Sequence, residues 1–275
     1  MTKFIRIAGS PTNPVAILGD DGCITSTGKI DATPWTISPK EQYVPNLDVP
    51  TAILCQSAQG ITTTSSKSDL RYLTSLANQK ATWKTFLPVL QALGVVGMVG
   101  DPMKGFAAIN LDAKSISRVS MTDAPPAWKT LTSPIPFIDS AKIANIAGDN
   151  ISGVIIVSDE SVSSLASLGG ACESWTLLTP KAPIKIEQIT GDCINGFIVY
   201  GEGQLYSLDV TKSPVSDWKS LPSLNFSIVA ISGNPKDGVV ALIGDGNVVV
   251  YCKDVTKGPW CVALVPDVVV VTKSE

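Results

Sequence analysis

The chain lacks the side chains on which the commonest nucleophilic and metal-dependent chemistry relies. Its 275 residues include no histidine, which excludes serine–histidine and cysteine–histidine catalysis and every histidine metal site. The six cysteines contain no Cys-x-x-Cys pair, so the sequence indicates neither a zinc site nor a redox motif. We expect the cysteines to be buried free thiols that fill apolar positions.

Two sets of carboxylates recur along the chain and could in principle hold cations. One set lies in short turns, at Asp20, Asp69, Asp112, Asp159, Glu202 and Asp245. The other set follows glycine, at Asp101, Asp149 and Asp192, and oxygen ligands of this kind suit Ca²⁺. No calcium-loop spacing accompanies the second set, and aspartate and glycine are the residues that make turns. We interpret both sets as turn formers and predict neither a metal nor a cofactor.

Enzymatic arrangements of charged residues are not indicated. Glycosidases need two carboxyl groups about 5–10 Å apart, and no such pair can be assigned from this sequence. Sialidase-like sites use three arginines to grip a carboxylate, whereas Arg6, Arg71 and Arg118 fall at unrelated positions of the repeat described next. We therefore predict that the chain is not an enzyme.

The tryptophans reveal an internal repeat. All six lie 42 to 48 residues apart, at Trp35, Trp83, Trp128, Trp175, Trp218 and Trp260. The stretches before them align: a short apolar strand usually ends in glycine and a turn former, and a β-prone second strand follows, usually opened by glycine. A tight acidic turn, a third strand and a fourth strand carrying the tryptophan complete each unit.

Four short antiparallel strands repeated six times predict an all-β fold, a six-bladed β-propeller with one tryptophan in each blade. We place the blades at residues 4–44, 45–92, 93–139, 140–182, 183–224 and 225–266, within a single domain of residues 1–266. The tryptophans should fill the space between adjacent blades. The ring should close without a strand borrowed from the other end, and residues 267–275 form a tail or an extra strand.

The fifth and sixth repeats loosely resemble the latter half of a kelch repeat. The matching residues are Tyr206, Asp209 and Trp218 followed by Leu221 and Pro222, and then Tyr251, Asp254 and Trp260. The double glycine that kelch repeats carry after the second strand is absent. The resemblance implies a protein-binding scaffold.

Composition restricts the partners and the compartment. The net charge of −3 argues against nucleic acid. No segment has the roughly 18–20 continuous apolar residues of a membrane helix, and the first 13 residues lack a signal-peptide core. We expect cytoplasmic synthesis without a signal peptide and no membrane insertion. A charged fraction of only 16% resembles that of phage tail and virion accessory proteins, some of which contain propellers.

These observations favour a non-enzymatic structural or binding module, an accessory or receptor-binding component of a virion or another extracellular assembly. Its partners would be other protein subunits, or a cell-surface receptor or glycan. Two alternatives stay open: a lectin or glycan-active enzyme built on a propeller, and an intracellular kelch-like scaffold.

The second repeat departs most from the pattern and is the predicted partner-binding region. It has the longest linkers, and loops on a rigid scaffold commonly carry binding. The candidate residues have side chains of types usually exposed: Arg71, Tyr72, Asn78, Gln79 and Lys80. A second candidate contact is the valine run Val268, Val269, Val270 and Val271, which would be an aggregation hazard if it were left bare.

Overall fold

Among the residues that the computed structural model describes, every regular element is a β-strand. The structure describes residues 3–20, 22, 24–27, 30, 36–37, 50–57, 60–65, 70–73, 83–85, 95–101, 105–110, 115–120, 123, 126–131, 143–158, 161–165, 168, 175–178, 181–210 and 217–263. Within these ranges no helix is long and apolar enough to cross a membrane.

The strands of the described residues form six antiparallel sheets of four strands, each in chain order. The first two sheets contain β1 Phe4–Ala8, β2 Val15–Gly19, β3 Ile24–Thr27 and β4 Thr36–Ile37, then β5 Pro50–Ser57, β6 Gly60–Ser65, β7 Leu70–Leu73 and β8 Lys84–Thr85. The next two contain β9 Val95–Asp101, β10 Gly105–Asn110, β11 Ile116–Ser120 and β12 Lys129–Thr130, then β13 Ile143–Asp149, β14 Gly153–Ser158, β15 Ser161–Leu165 and β16 Thr176–Leu177. The last two contain β17 Gln188–Asp192, β18 Gly196–Gly201, β19 Gln204–Leu208 and β20 Lys219–Ser220, then β21 Ile228–Asn234, β22 Gly238–Ile243, β23 Val248–Cys252 and β24 Cys261–Ala263.

The six sheets form a closed ring. The first strand of each sheet contacts the first strands of the two neighbouring sheets, and β21 contacts β1. The fold is therefore the predicted six-bladed β-propeller. In the part of the chain that the structure describes, the closing blades β1–β4 and β21–β24 are each built from consecutive strands, as expected, and they meet through packing rather than through strand exchange.

Each seam between blades contains one apolar cluster. The second strand of a blade has neighbours on both faces, and β14, β18 and β22 are accordingly buried along their whole length. This explains why these strands read as unbroken apolar runs rather than alternating ones. The seam clusters hold Phe106 and Phe197, which are among the largest completely buried side chains.

The tryptophans pack between blades, as the sequence predicted. Trp83 and Trp175 are buried and Trp128, Trp218 and Trp260 are half-buried, and each joins the cluster between its own blade and the preceding one. The Trp260 indole also donates a hydrogen bond across its seam to the Pro222 carbonyl, at 2.9 Å. One detail of the prediction is wrong: these tryptophans precede the short outer strand instead of lying in it. Trp35 lies outside the described residues.

The antiparallel order gives the ring two distinct faces. Turns between the first and second strands and between the third and fourth strands share one face, which we call the inner-turn face. Turns between the second and third strands and the connections from one blade to the next share the opposite face. An exposed side chain on one face can therefore serve as a control for an exposed side chain on the other face.

Candidate functional site

The inner-turn face carries side chains held by a repeated turn. The Asp149 carboxylate accepts hydrogen bonds from the backbone N–H groups of Ile151 and Ser152, at 2.7 and 2.6 Å, and from the Ser152 hydroxyl, at 2.8 Å. In the next blade, Asp192 binds the N–H groups of Ile194 and Asn195 in the same way, at 2.8 and 2.7 Å. These are side-chain-to-backbone turns that fix the conformation of the loop.

The third turn of this series uses an amide in place of a carboxylate. The Asn234 side-chain oxygen accepts from the N–H groups of Lys236 and Asp237, at 2.9 and 2.8 Å, and its amide donates to the Asp237 carboxylate, at 2.9 Å. The expectation that Asp149 and Asp192 bond their own turns is confirmed. The side chain of Asp101 lies outside the described residues, and among those described no group of three metal-ligating residues occurs.

The residue two positions after each turn former points into solvent. It is Ile151 in blade 4 and Ile194 in blade 5, whose side chains are 55% and 57% exposed, and it is Lys236 in blade 6, which is also exposed. Exposed isoleucine at a turn tip is unusual because turns favour small and polar residues. Three neighbouring blades thus present two apolar tips and one cationic tip, which we call the inner-turn tips.

Packing between the turns of blades 4 and 5 holds their tips together as one continuous surface. The Cys193 thiol lies in the seam between blades 4 and 5 and donates to the Val154 carbonyl, with the sulfur 3.8 Å from the oxygen. Burial raises the pKa of Cys193 to about 12, and the negative charges of Asp192 and Asp149 add to the effect. The turn of blade 5 therefore packs against blade 4 through a thiol that stays protonated.

Hydrogen bonds join blades 5 and 6 below the same turns. The Gln188 amide donates to the Val229 carbonyl, at 3.0 Å, and accepts from the Ile231 N–H, at 3.1 Å. The Thr190 hydroxyl oxygen lies 2.9 Å from the Gly233 carbonyl oxygen, to which it donates, and 3.1 Å from the Gly233 nitrogen, from which it accepts. These side chains satisfy backbone groups of the neighbouring inner strand and fix the distance between the second and third tips.

The acidic turns of the opposite face do not form a charged ring in the described residues. Asp20 pairs with the backbone N–H of Lys3, at 3.2 Å, and Glu202 occupies a left-handed turn position, with φ of 51°. Asp245 is exposed. Asp69, Asp112 and Asp159 lie outside the described residues. The described carboxylates thus serve as the turn formers that the sequence predicted.

The predicted partner-binding residues of blade 2 are placed differently from expectation. Arg71 is only 4% exposed and Tyr72 is half-buried, packed on the cluster between blades 2 and 3. The expectation of exposed side chains is wrong for these two because β7 pairs with strands on both sides, so its side chains enter the seams. Asn78, Gln79 and Lys80 lie outside the described residues. A role in partner binding stays a prediction for all five.

The three arginines and the described cysteines are dispersed. Arg6, Arg71 and Arg118 lie in β1, β7 and β11 of three different blades. Cys252 is buried, Cys193 is half-buried and Cys261 is exposed, and all three are free thiols. The expectation of buried thiols is therefore wrong for Cys261, because it lies on the outer edge strand β24. The side chains of Cys23, Cys55 and Cys172, and the valine run at residues 268–271, lie outside the described residues.

The sequence interpretation overlooked the inner-turn tips. It identified the turn formers but made no prediction for the residues between them and the next glycine. The available signal was an isoleucine two residues after aspartate in successive repeats, at positions that favour polar residues. Side-chain exposure, which depends on the ring, was needed to show that these isoleucines are not part of the core.

Similarity to known proteins is confined to the fold. Neither a protein-family profile nor a curated protein matches the sequence. Among solved structures, the chain is similar to PorZ, a surface component of the type-IX secretion system of Porphyromonas gingivalis, with a TM-score of 0.56 and 11% identity over 98% of this chain. The chain spans only 39% of the length of that protein.

Two further structures match over most of both chains. One is YCF48 bound to D1 peptide, with a TM-score of 0.55 and 16% identity over 94% of this chain and 80% of that chain. The other is virginiamycin B lyase from Staphylococcus aureus, with a TM-score of 0.54 and 12% identity over 96% of each chain. At these identities the likeness shows the propeller fold alone, and a shared fold does not define a function.

Proposed function

We propose that this protein is a non-enzymatic interaction module that binds a protein partner through the inner-turn tips of blades 4, 5 and 6. The observation that carries the proposal is the exposure of Ile151 and Ile194 at equivalent positions of neighbouring turns. The exposed part of an isoleucine at a rigid tip contributes little to folding. Full burial of an isoleucine side chain is worth about 1.5–3 kcal/mol, so covering the exposed half of a tip would stabilise a complex by roughly half of that. Preorganised tips also lose little conformational entropy on binding.

The chemistry of the tips indicates the kind of segment that would fit them. Two apolar tips followed by Lys236 match a segment with two apolar side chains followed by an acidic one. The carboxylates of Asp149 and Asp192 face inward into their own turns, where backbone N–H groups occupy them. The negative charges of Asp149 and Asp192 would therefore repel an acidic partner residue near Lys236 less than the sequence alone suggests.

The described thiols support a role without catalysis. Catalytic cysteines have lowered pKa values, whereas burial raises the pKa values of both Cys193 and Cys252. Propellers of this fold include both binding proteins and a lyase. The geometry of the described residues favours the first type because exposed isoleucines lie at equivalent turn tips of two neighbouring blades.

The assembly in which the module acts is a further part of the proposal. The low charged fraction of the sequence supports an accessory or receptor-binding component of a virion, a phage tail or another extracellular assembly. The loosely kelch-like fifth and sixth repeats support a protein partner, since kelch modules are mainly scaffolds. Synthesis in the cytoplasm belongs to the same proposal.

The test is co-sedimentation of the protein with particles from its source lysate, followed by mass spectrometry of its companions. The variant carries Ile151→Asp and Ile194→Asp together. Its matched control is Phe226→Asp, because Phe226 is 61% exposed and lies in the connection between blades 5 and 6 on the opposite face. We expect the double variant to lose a companion of fixed stoichiometry and the control to keep it.

Two outcomes would overturn the proposal. The first is equal retention of companions by the double variant and the control, which would remove the inner-turn tips as the binding site. The second is the absence of any stoichiometric companion of the unmodified protein, which would remove the assembly role. Thermal unfolding of the variants shows whether a loss of binding arises from misfolding, and we expect both variants to match the parent because all three residues are exposed.

A further inference from the structure

Arg71 is a buried cation in the seam between blades 1 and 2. It lies at the centre of β7, opposite Thr63 of β6 and Thr85 of β8, and is 4% exposed. Its neighbours Leu70 and Tyr72 pack toward blade 3. Because side chains alternate along a strand, Arg71 points the other way, toward blade 1.

The apolar lining on that side is defined by two residues of blade 2. Leu73 shares the face of Arg71, and it belongs with Trp83 to the cluster between blades 1 and 2. Both side chains are buried. The guanidinium therefore lies in a buried seam, with Leu73 and Trp83 along its own blade and Thr63 and Thr85 as its cross-strand neighbours.

Blades 1, 3 and 4 have small hydroxyl side chains where blade 2 has this arginine, and blades 5 and 6 have Tyr206 and Val250 there. The register places Thr25, Ser117 and Ser163 at the equivalent position of the third strand in blades 1, 3 and 4. All three are buried. The hydroxyl of Ser117 is satisfied inside its own blade, by Asn110 and Thr130. Arginine is therefore a specific feature of blade 2 and not a requirement of the repeat.

The two unpaired donors of Arg71 lie on one edge of its guanidinium. Nε and Nη2 are both buried, and neither has a hydrogen-bond partner among the residues that the structure describes. These atoms form the planar fork that binds the two oxygens of a carboxylate side by side. An arginine stays charged in proteins, and a buried charge without a counter-charge is strongly destabilising.

The charge of the described part of blade 2 also favours the binding of an anion. Its charged side chains are Arg71 and Lys84, and both are cations. We propose that Arg71 anchors a binding site for a carboxylate in the seam between blades 1 and 2. The carboxylate, either a free small molecule or a side chain carried by a peptide, would accept two parallel hydrogen bonds from Nε and Nη2. This site is separate from the inner-turn tips and does not depend on them.

The test is thermal unfolding during titration with sodium acetate and sodium succinate, at constant ionic strength maintained with chloride. A ligand that binds only the folded state raises its stability as the ligand concentration exceeds Kd. We expect a saturable rise in Tm of several degrees with carboxylates and none with acetamide, which has a similar shape but no charge. This comparison uses the unmodified protein and holds even where variants fold poorly.

Substitutions of Arg71 test whether the rise in Tm depends on the fork formed by its Nε and Nη2. Arg71→Met should abolish the response, and Arg71→Lys, which keeps the charge but loses the planar fork, should weaken it at least tenfold in apparent Kd. Lys219→Met is the matched control, because Lys219 is an exposed cation on the outer strand of blade 5. The control should respond as the parent does.

The probes also separate the two sources of carboxylate. Succinate represents a free small molecule, and a glutamate-containing tripeptide with blocked ends represents a peptide side chain. A response to either that is weakened in Arg71→Lys and abolished in Arg71→Met supports the site. An equal response in all variants, or no response to any probe, overturns it. The proposal is also overturned if a carboxylate of this chain already binds Arg71. That result would appear as destabilisation in Asp69→Asn together with no response to succinate. Co-sedimentation through the inner-turn tips should be unchanged in Arg71→Lys, so failure of one proposal leaves the other standing.

Discussion

At the scale of single residues, the environment of a thiol decides its reactivity. Cys193 is held in the seam between blades 4 and 5, and burial together with two nearby carboxylates raises its pKa to about 12. At pH 8 its thiolate fraction is then about a thousandth of that of an ordinary thiol. We predict that iodoacetamide leaves Cys193 unmodified in the folded protein and modifies the exposed Cys261, as measured by peptide mass spectrometry.

The same experiment in denaturant provides its control. Unfolding exposes both thiols and removes the buried environment, so both should be modified at pH 8. Modification of folded Cys193 as fast as that of Cys261 would show that the seam opens readily, and it would contradict the rigid turn packing described here. The difference in modification rate between the two folded-state thiols should narrow as the pH approaches 12, because Cys193 ionises only near its raised pKa.

At the scale of elements, the inner hairpins require glycine at a close approach of two backbones. Gly148, one residue before the end of β13, has φ of 103°, and a Cβ atom there would collide with the carbonyl oxygen of Gly153 at the start of β14. We predict that Gly148→Ala destabilises the protein by about 3 kcal/mol or more, since the left-handed conformation alone costs about 1–2 kcal/mol and the collision adds backbone displacement. Urea denaturation measures the loss.

Gly203 offers a matched control for the steric part. It also has positive φ, 75°, but no heavy atom lies within 4 Å of a Cβ built at that position. Gly203→Ala should therefore lose only the conformational part, about 1–2 kcal/mol. Equal losses at the two glycines would mean that the hairpin adjusts at no cost, and the close approach would not be a structural requirement.

The sequence predicted these hairpins better than it predicted the candidate sites. Glycine, aspartate and tryptophan act locally, so their spacing was enough to place turns, strands and seams. The burial of Arg71 and the exposure of Ile151 depend on which blade covers which strand, and that is a property of the closed ring. Residue type gave the opposite expectation for Arg71, because arginine is usually exposed and its strand was assigned to a linker.

At the scale of the whole molecule, the ring closes between its first and last blades, and within the described residues neither blade borrows a strand from the other. The described contacts at this seam include the cluster of Phe4, Ile7 and Val240 with their neighbours. Two hydrogen bonds also cross it, from the Phe4 N–H to the Gly246 carbonyl, at 3.2 Å, and from the Thr12 hydroxyl to the Asp237 carbonyl, at 3.4 Å. In the described residues, closure therefore depends on side-chain packing of the kind found at the other five seams. Weakening it should affect the whole ring rather than one blade.

Phe4 is the side chain that tests this closure. It is 5% exposed in the closing cluster, and Phe4→Ala should cost about 3–5 kcal/mol, or roughly 6–20 °C in Tm for a chain of this size. Phe226→Ala is the control, because its ring is 61% exposed and its loss should shift Tm by little. Calorimetry should show one transition for Phe4→Ala, moved to lower temperature, since no strand exchange holds the ring closed once the packing is lost. Two separate transitions would instead mean that blades 1 and 6 unfold independently, and the ring would then be a chain of stacked blades whose closure adds no cooperativity.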